Sequence, residues 1–287
     1  MKKACSTMAD ILITGASGFI GRNLVAFLDN QGQASVSFSR ERGVSLLDRS
    51  SLRNYFSNQN FTSVVHLASK VKGIKTAKDI ESETQMAVNA LSLLGSGSRF
   101  IYISTADIYD ECETPLVESS AVVPINRYAV AKLQSEKALR IEASKRGVDL
   151  VILRPSLVYG ADTPSGMFLS DLYESVTSSS LFVYSPDNII RDFIHVSDVC
   201  CAIHTLIISQ NDVSGVYNLS TGIGTSLESI VCFVRTYIKK DIQTDRRKES
   251  ENKVSPYLVL NSKKLQNSIP WKPAIPIGVG LREILLL

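Results

Sequence analysis

The chain has little of what disulfide frameworks and metal centres are made from. Five cysteines and three histidines stand among 287 residues. The cysteine count is odd, Cys200 adjoins Cys201 in an apolar run, and no C-x-x-C pair occurs. Free thiols in a reducing cytosol are therefore expected, not disulfides or zinc. His66, His195 and His204 lack metal-ligand spacing, so no metal is expected. No apolar run approaches the ~20 residues of a membrane span, and residues 1–9 have no apolar core of a signal peptide and read as a flexible lead-in. The formal net charge of +3 is too small to point to nucleic acid or a membrane surface, and Arg246-Arg247-Lys248 is too short to act as a basic tail. What remains, 44% hydrophobic and 21% charged residues, is the balance of a globular chain with ample core, long enough for one large or two modest domains.

Residues 10–24 organise this chain. Ile11-Leu12-Ile13 is a short apolar strand, which breaks at Gly15, Gly18 and Gly21 and resumes with helical spacing through Leu24, Val25, Phe27 and Leu28. A strand that turns on glycines into a helix brings unpaired N–H groups and a positive dipole end together, a site for a phosphate or diphosphate. Gly15 serves the tight turn, Gly18 the close approach of a ligand and Gly21 the packing of helix on strand. The strand–turn–helix context favours dinucleotide binding over a glycine-rich turn that binds nothing.

Strands and helices alternate through the next part of the chain. Strands are expected at 34–39, 61–68, 99–104 and 149–154, and helices at 50–56, 79–94 and 128–143, with 44–48 a short strand or loop. The pattern predicts an α/β Rossmann-type doubly wound parallel sheet. From Tyr159 onward Pro and Gly recur and the elements become mixed. The expected organisation is a dinucleotide-binding domain over 10–158, with 191–206 returning to it, and a smaller mixed α/β substrate lobe over 159–287.

The end of the second strand bears on the cofactor. An acidic residue there would accept hydrogen bonds from the adenosine ribose of NAD and repel the 2′-phosphate of NADP. Ser39 takes that place, Arg40 follows and Arg42 is near. A hydroxyl beside a forked guanidinium suits a phosphate dianion. NADP(H) is favoured, with NAD(H) as the alternative.

Two further patterns carry chemistry. Tyr128 and Lys132 are four apart on a helix and share a face. A cation close to the phenol is expected to lower its pKa, and such a tyrosine can exchange a proton with a carbonyl oxygen while hydride moves to or from nicotinamide. The plain alternative is an amphipathic helix with a solvated Lys132. Thr105 stands at the C-terminal end of a strand, the edge where open α/β sheets bind ligands. It can hydrogen-bond the oxygen that Tyr128 protonates, or simply cap the following turn.

Several motifs occur in a fixed order: Gly15-x-x-Gly18-x-x-Gly21, Val64-Val-His-Leu-Ala68, Ser104-Thr-Ala-Asp-Ile-Tyr109, Tyr128-x-x-x-Lys132 and Leu153-Arg-Pro-Ser-Leu-Val-Tyr-Gly160. Arg191-Asp-Phe-Ile-His-Val-Ser-Asp-Val199 and Val216-Tyr-Asn-Leu219 follow. From about residue 10 to 285 the chain resembles the extended short-chain dehydrogenase/reductases, the NAD-dependent epimerase/dehydratase family acting on nucleotide sugars. The resemblance implies a catalytic triad of Thr105, Tyr128 and Lys132, with Lys132 also holding the nicotinamide ribose. It implies cofactor contacts from Gly15, Ser17, Gly18, Phe19, Ile20 and Gly21, from Leu67-Ala68-Ser69, and from Ser45-Leu46 near the adenine. Arg191 would meet the substrate diphosphate, and segments around Phe168, Tyr184 and Arg247 would select the sugar. Leu157 stands where many members carry an asparagine near the substrate.

Family members that eliminate water or carbon dioxide usually have a glutamate at the place of Asp107, here an additional candidate acid/base. Some 4-keto-6-deoxy-sugar reductases have an aspartate there. With Ser39 and Arg40, this favours NADPH-dependent reduction of a nucleotide-linked 4-keto-6-deoxy sugar. A nucleotide-sugar epimerase without net redox is the alternative, followed by a dehydratase or decarboxylase and by a regulator that binds the dinucleotide without catalysis. The family also implies a homodimer through the helices near 79–94 and 128–143.

Overall fold

Ile11, Leu12 and Ile13 are all fully buried, which a strand achieves only when both faces of its sheet are covered. The structure is a computed structural model describing residues 10–39, 42–70, 73–110, 115–178, 182–184, 189–238, 244–246 and 256–285. Its first half is β1 (Ile11–Thr14), α1 (Phe19–Asn30), β2 (Ser35–Phe38), α2 (Arg49–Tyr55), β3 (Ser63–His66), α3 (Ala77–Leu91), β4 (Arg99–Ile103), α4 (Arg127–Arg146) and β5 (Asp149–Pro155). Then come β6 (Leu157–Tyr159), α5 (Phe168–Ser178), β7 (Phe182–Tyr184), β8 (Ile190–His195), α6 (Val196–Ile208), β9 (Gly215–Leu219), β10 (Gly224–Ser226), α7 (Leu227–Ile238), β11 (Thr244–Arg246), β12 (Tyr257–Leu258), α8 (Lys263–Ser268) and α9 (Ile277–Leu285).

The main sheet has six parallel strands in the order β2-β1-β3-β4-β5-β9. Successive strand residues face opposite sides. Ile11 and Ile13 join Val65, Ile101 and Val151 under α1 and α6, while Leu12 joins Val64, Phe100 and Ile152 under α2, α3 and α4. The expected doubly wound α/β sheet is what the chain forms. Its sixth strand, β9, lies well beyond the alternating βα part of the sequence. Of the 191–206 segment, α6 packs on α1, whereas β8 joins a second sheet with β6, β10 and β12. The 44–48 segment is a loop, because Asp48 caps α2 by accepting the Ser50 and Ser51 N–H groups.

Chain direction in the sheet places the C-terminal ends of β1 and β3 side by side, at the point where the winding reverses from β2 to β3. Ligands of open α/β sheets bind in that crevice. A buried polar network stiffens the sheet next to it. Arg154 of β5 donates to both oxygens of Glu136 on α4, at 3.0 and 2.7 Å, and to the Tyr109 hydroxyl at 3.0 Å. Ser104 also donates to Glu136, and Tyr109 donates to Asn218 of β9 at 2.6 Å. One network thus links α4, β5, β9 and the segment after β4. Glu136→Ala leaves the Arg154 guanidinium buried without its counter-charge, at an expected cost of about 3–5 kcal/mol, to be measured as a lowered midpoint of urea unfolding.

Candidate active site

The turn after β1 is built around space that a side chain would fill. Gly15 has φ +74°, and a Cβ on it would lie 2.6 Å from the Ala68 nitrogen. A Cβ on Gly21 would lie 2.2 Å from the Gly15 carbonyl oxygen. These glycines let the turn press against the segment after β3 and let α1 start directly over it. The first bond of α1 runs from the Arg22 N–H to the Gly18 carbonyl at 2.9 Å. No side chain caps the helix and no acid occupies its first turn. The N–H groups of Phe19, Ile20 and Gly21 therefore lack intrahelical acceptors, which makes this end suited to an anion. The side chains of Phe19 and Ile20 pack on the core, so only their backbone serves such a site.

Beside this turn lies a cavity of ≈ 450 Å³. Gly15, Ser17, Gly18, Ser39, Ser45, Leu46, Leu67, Ala68 and Ser69 line it, all of them expected from the sequence, together with Gly43, Val44, Leu47, Lys70 and Met86, which were not. A second groove shares Ser17 and Ser39 and adds Ser37 of β2, Arg22 and Asp29 of α1, and Arg42. Arg22 is engaged there by Asp162 at 3.7 Å, while Arg42 is exposed. Arg40 lies outside the described residues, as does Arg247. A turn suited to an anion, the adjoining cavity and apolar walls at Leu46 and Leu67 fit a dinucleotide.

Thr105, Tyr128 and Lys132, the triad expected from the sequence, are set by α4 and the segment after β4. Asn126 caps α4 by accepting the Ala129 N–H at 2.8 Å, and its amide donates to Asp107 at 3.2 Å. This cap sets the first turn of α4, on which Tyr128 stands, against the 3₁₀ turn Ala106–Ile108. Thr105 caps that turn through the Asp107 N–H at 3.2 Å; its hydroxyl proton is not committed by this bond and can still be donated. One turn into α4, Lys132 is only 2% exposed, so it is not the solvated lysine of an ordinary amphipathic helix. Its ammonium donates to the Ile103 carbonyl at 3.0 Å, lies 3.3 Å from Glu83 Oε1, and sits 5.6 Å from the centre of the Tyr128 ring. His66, pulled down to about 3 by burial and by Lys132, is neutral and pairs through Nδ1 with the Thr14 hydroxyl at 2.8 Å.

One expectation is corrected. The Tyr128 pKa is raised, not lowered, first by burial and then by the negative charges of Glu83 and Asp107. The Lys132 charge that was to lower it is matched by Glu83 at 3.3 Å. Burial in turn pulls the Lys132 ammonium down, opposed foremost by Glu83.

Arg191 is 8% exposed and donates to the carbonyls of Ile190 and Pro256 at 2.8 and 3.3 Å. Burial lowers its pKa, and the Asp107 carboxylate opposes that shift. Arg191 and Asp107 therefore face one region. Phe168 meets Phe182 and Tyr184 edge-on and Phe193 at a tilt, Tyr184 stacks on Phe182, and the Tyr184 hydroxyl bonds to Glu228. Phe168 also lines an apolar cavity of ≈ 230 Å³ with Leu157, Tyr159 and Met167. Among the described residues no group of His, Cys, Asp and Glu is arranged to hold a metal, and no helix is long and apolar enough to cross a membrane.

Residues 11–220 match the NAD dependent epimerase/dehydratase family. The chain belongs to this family. It is 24% identical to GDP-6-deoxy-D-mannose reductase of Pseudomonas aeruginosa over 96% of its own length and 95% of that protein's. It is 27% identical to UDP-glucose 4-epimerase of Halalkalibacterium halodurans over 93% and 91%. The solved structure of RMD from Pseudomonas aeruginosa complexed with NADPH has the same fold, with a TM-score of 0.85 at 23% identity, over 97% of both chains. Within the family fold the glycine turn gives a direct test. Gly21→Ala forces the Gly15 carbonyl aside and is expected to destabilise by ~1–3 kcal/mol. Gly95→Ala, where a Cβ meets nothing within 4 Å, is expected to change little; thermal unfolding of the two variants measures the difference.

Proposed function

We propose that this protein is an NADPH-dependent reductase of the 4-keto group of a nucleotide-linked 4-keto-6-deoxy sugar. The observation that carries the reading is the placement of Tyr128 on the first turn of α4, with the buried Lys132 ammonium 5.6 Å from its ring and the Thr105-capped turn packed beside it. Reduction of a ketone needs a group that arrives protonated and gives that proton to the oxygen. Glycines 15, 18 and 21, the N-terminus of α1 and the 67–69 segment would hold the cofactor, with Ser45 and Leu46 at its adenine end. A bound dihydronicotinamide supplies the hydride for the ketone carbon. Tyr128 gives its hydroxyl proton to the ketone oxygen, Thr105 donates a hydrogen bond that orients that oxygen, and Lys132 steadies the phenol from behind. Arg191 suits the substrate diphosphate because its guanidinium is held in place by carbonyls.

The absence of an acid at Ser39, with Arg42 exposed on the same groove, supports NADPH as the reductant. The reductase relative over 96% of the chain supports the reaction class. The comparable match to UDP-glucose 4-epimerase supports the second reading, an epimerase that returns hydride to its own substrate. Stoichiometry separates them. Incubation with a panel of UDP-, GDP-, CDP- and dTDP-linked 4-keto-6-deoxy sugars should consume one NADPH per sugar, read as loss of its absorbance; epimerisation without NADPH loss would decide for the second reading. In the same assay Tyr128→Phe is expected to cut turnover by about 10²–10⁴ while dinucleotide binding stays near wild type. Arg42→Ala should weaken NADPH roughly tenfold and leave NADH unchanged, as followed by nicotinamide fluorescence. Equal losses for both dinucleotides would argue against a 2′-phosphate contact.

A further inference from the structure

Asn89 stands in α3, is fully buried, and belongs to none of the motifs that order this chain. Asparagine is a poor helix former, and its amide costs free energy in the interior unless it is hydrogen-bonded. Here both ends of the amide are engaged. Nδ2 donates to the Leu46 carbonyl at 2.8 Å and to the Leu47 carbonyl at 3.1 Å, and Oδ1 accepts from the Gln85 amide at 2.7 Å. Two neighbouring carbonyls call for a group with two hydrogens, and the Gln85 bond fixes the amide with its NH₂ toward them.

Leu46 and Leu47 belong to the 43–47 segment between β2 and α2, every residue of which lines the cavity beside the glycine turn. Inside the segment the bonds are local. The Ser45 hydroxyl accepts the Leu47 N–H at 3.2 Å, and the Ser45 carbonyl accepts the Asp48 N–H at 3.1 Å. Among the described residues, the hydrogen bonds that tie the segment to another element are the two from Asn89. Met86, one turn earlier on the same helix, lines the same cavity. α3 therefore supplies part of the cavity wall and the anchor of another part.

We propose that Asn89 is a positioning residue for the adenine of the cofactor: by holding the Leu46 and Leu47 carbonyls it fixes the 43–47 segment as the wall on which the base packs. The proposal rests on the reading of this cavity as the dinucleotide site, with Ser45 and Leu46 at its adenine end. With both carbonyls turned to α3, the peptide groups of the segment cannot rotate without breaking a buried bond. The base then meets a wall already formed, and less ordering is lost on binding. Adenine is common to NADPH and NADH, so Asn89 acts equally on both. In this it differs from Arg42, whose expected contact is the 2′-phosphate alone.

The test compares wild type, Asn89→Ala and Asn89→Asp in binding NADPH, NADH and reduced nicotinamide mononucleotide, which lacks the adenosine half, by nicotinamide fluorescence. Asn89→Asp keeps the size but sets a carboxylate against two carbonyls, so it should not rescue binding. Both variants should weaken NADPH and NADH by one common factor of about ten or more, and leave the mononucleotide within about twofold of wild type. Dinucleotide affinities that stay at the wild-type level, or a mononucleotide weakened as much as the dinucleotides, overturn the proposal. A structural role alone would lower the thermal midpoint without separating the three ligands. Hydrogen exchange of the wild type needs no variant. NADPH and NADH should slow exchange of the 43–47 amides and the mononucleotide should not; no slowing by either dinucleotide overturns the proposal even where both variants fail to fold. A wild type that binds neither dinucleotide overturns the reading of the cavity and this proposal with it. Tight binding by wild type and variants alike overturns this proposal alone.

Discussion

An ammonium group 2% exposed beneath a sheet edge is tolerated only when its charge is matched inside the same low-dielectric space. Lys132 meets this demand with Glu83 and the Ile103 carbonyl, and much of the surrounding architecture follows from it. α3 must lie against α4 for the carboxylate to reach the ammonium, and β4 must end where its last carbonyl can accept. The Lys70 N–H must also point back at the same carboxylate. A second buried pair, Glu136–Arg154, stands beside the first and ties α4 to β5. The two pairs fix α4 against α3 and β5, and with it the helix turn that bears Tyr128.

On the proposed reading, binding and chemistry are divided between two regions at the C-terminal ends of β1, β3 and β4. The glycine turn and the 67–69 segment form a cradle by close backbone approach, and this depends on missing side chains. The chemical end depends on the opposite condition, dense packing of charged side chains whose fields act on one another. Tyr128 is the group on which these fields converge. Burial, Glu83 and Asp107 all act in one direction on it, toward the protonated phenol.

Much of this fold was legible in the amino-acid order because its signals are local. The glycines at 15, 18 and 21, the apolar strands and the i, i+4 placement of Tyr128 and Lys132 each lie within a few residues. Backbone geometry alone converts them into turn, sheet and shared helix face. Glu83 was not legible, since a single glutamate in an amphipathic helix ordinarily faces solvent. The place of β9 beside β5 was hidden for a similar reason. Pairing across some sixty residues of chain leaves no local trace.

The sequence by itself determined the family-type α/β fold, the anion-binding turn and the identity of the side chains available for proton transfer, because residue type and short spacing decide those. Only the tertiary structure decided the charge on that chemistry. Whether Lys132 lowers or fails to lower the pKa of Tyr128 depends on what lies within a few ångströms of the ammonium. That neighbour, Glu83, comes from another helix, brought there by packing against the sheet. The glycine-rich turn can be read from its letters, but the electrostatic state of Tyr128 exists only once α3, α4 and β4 have met.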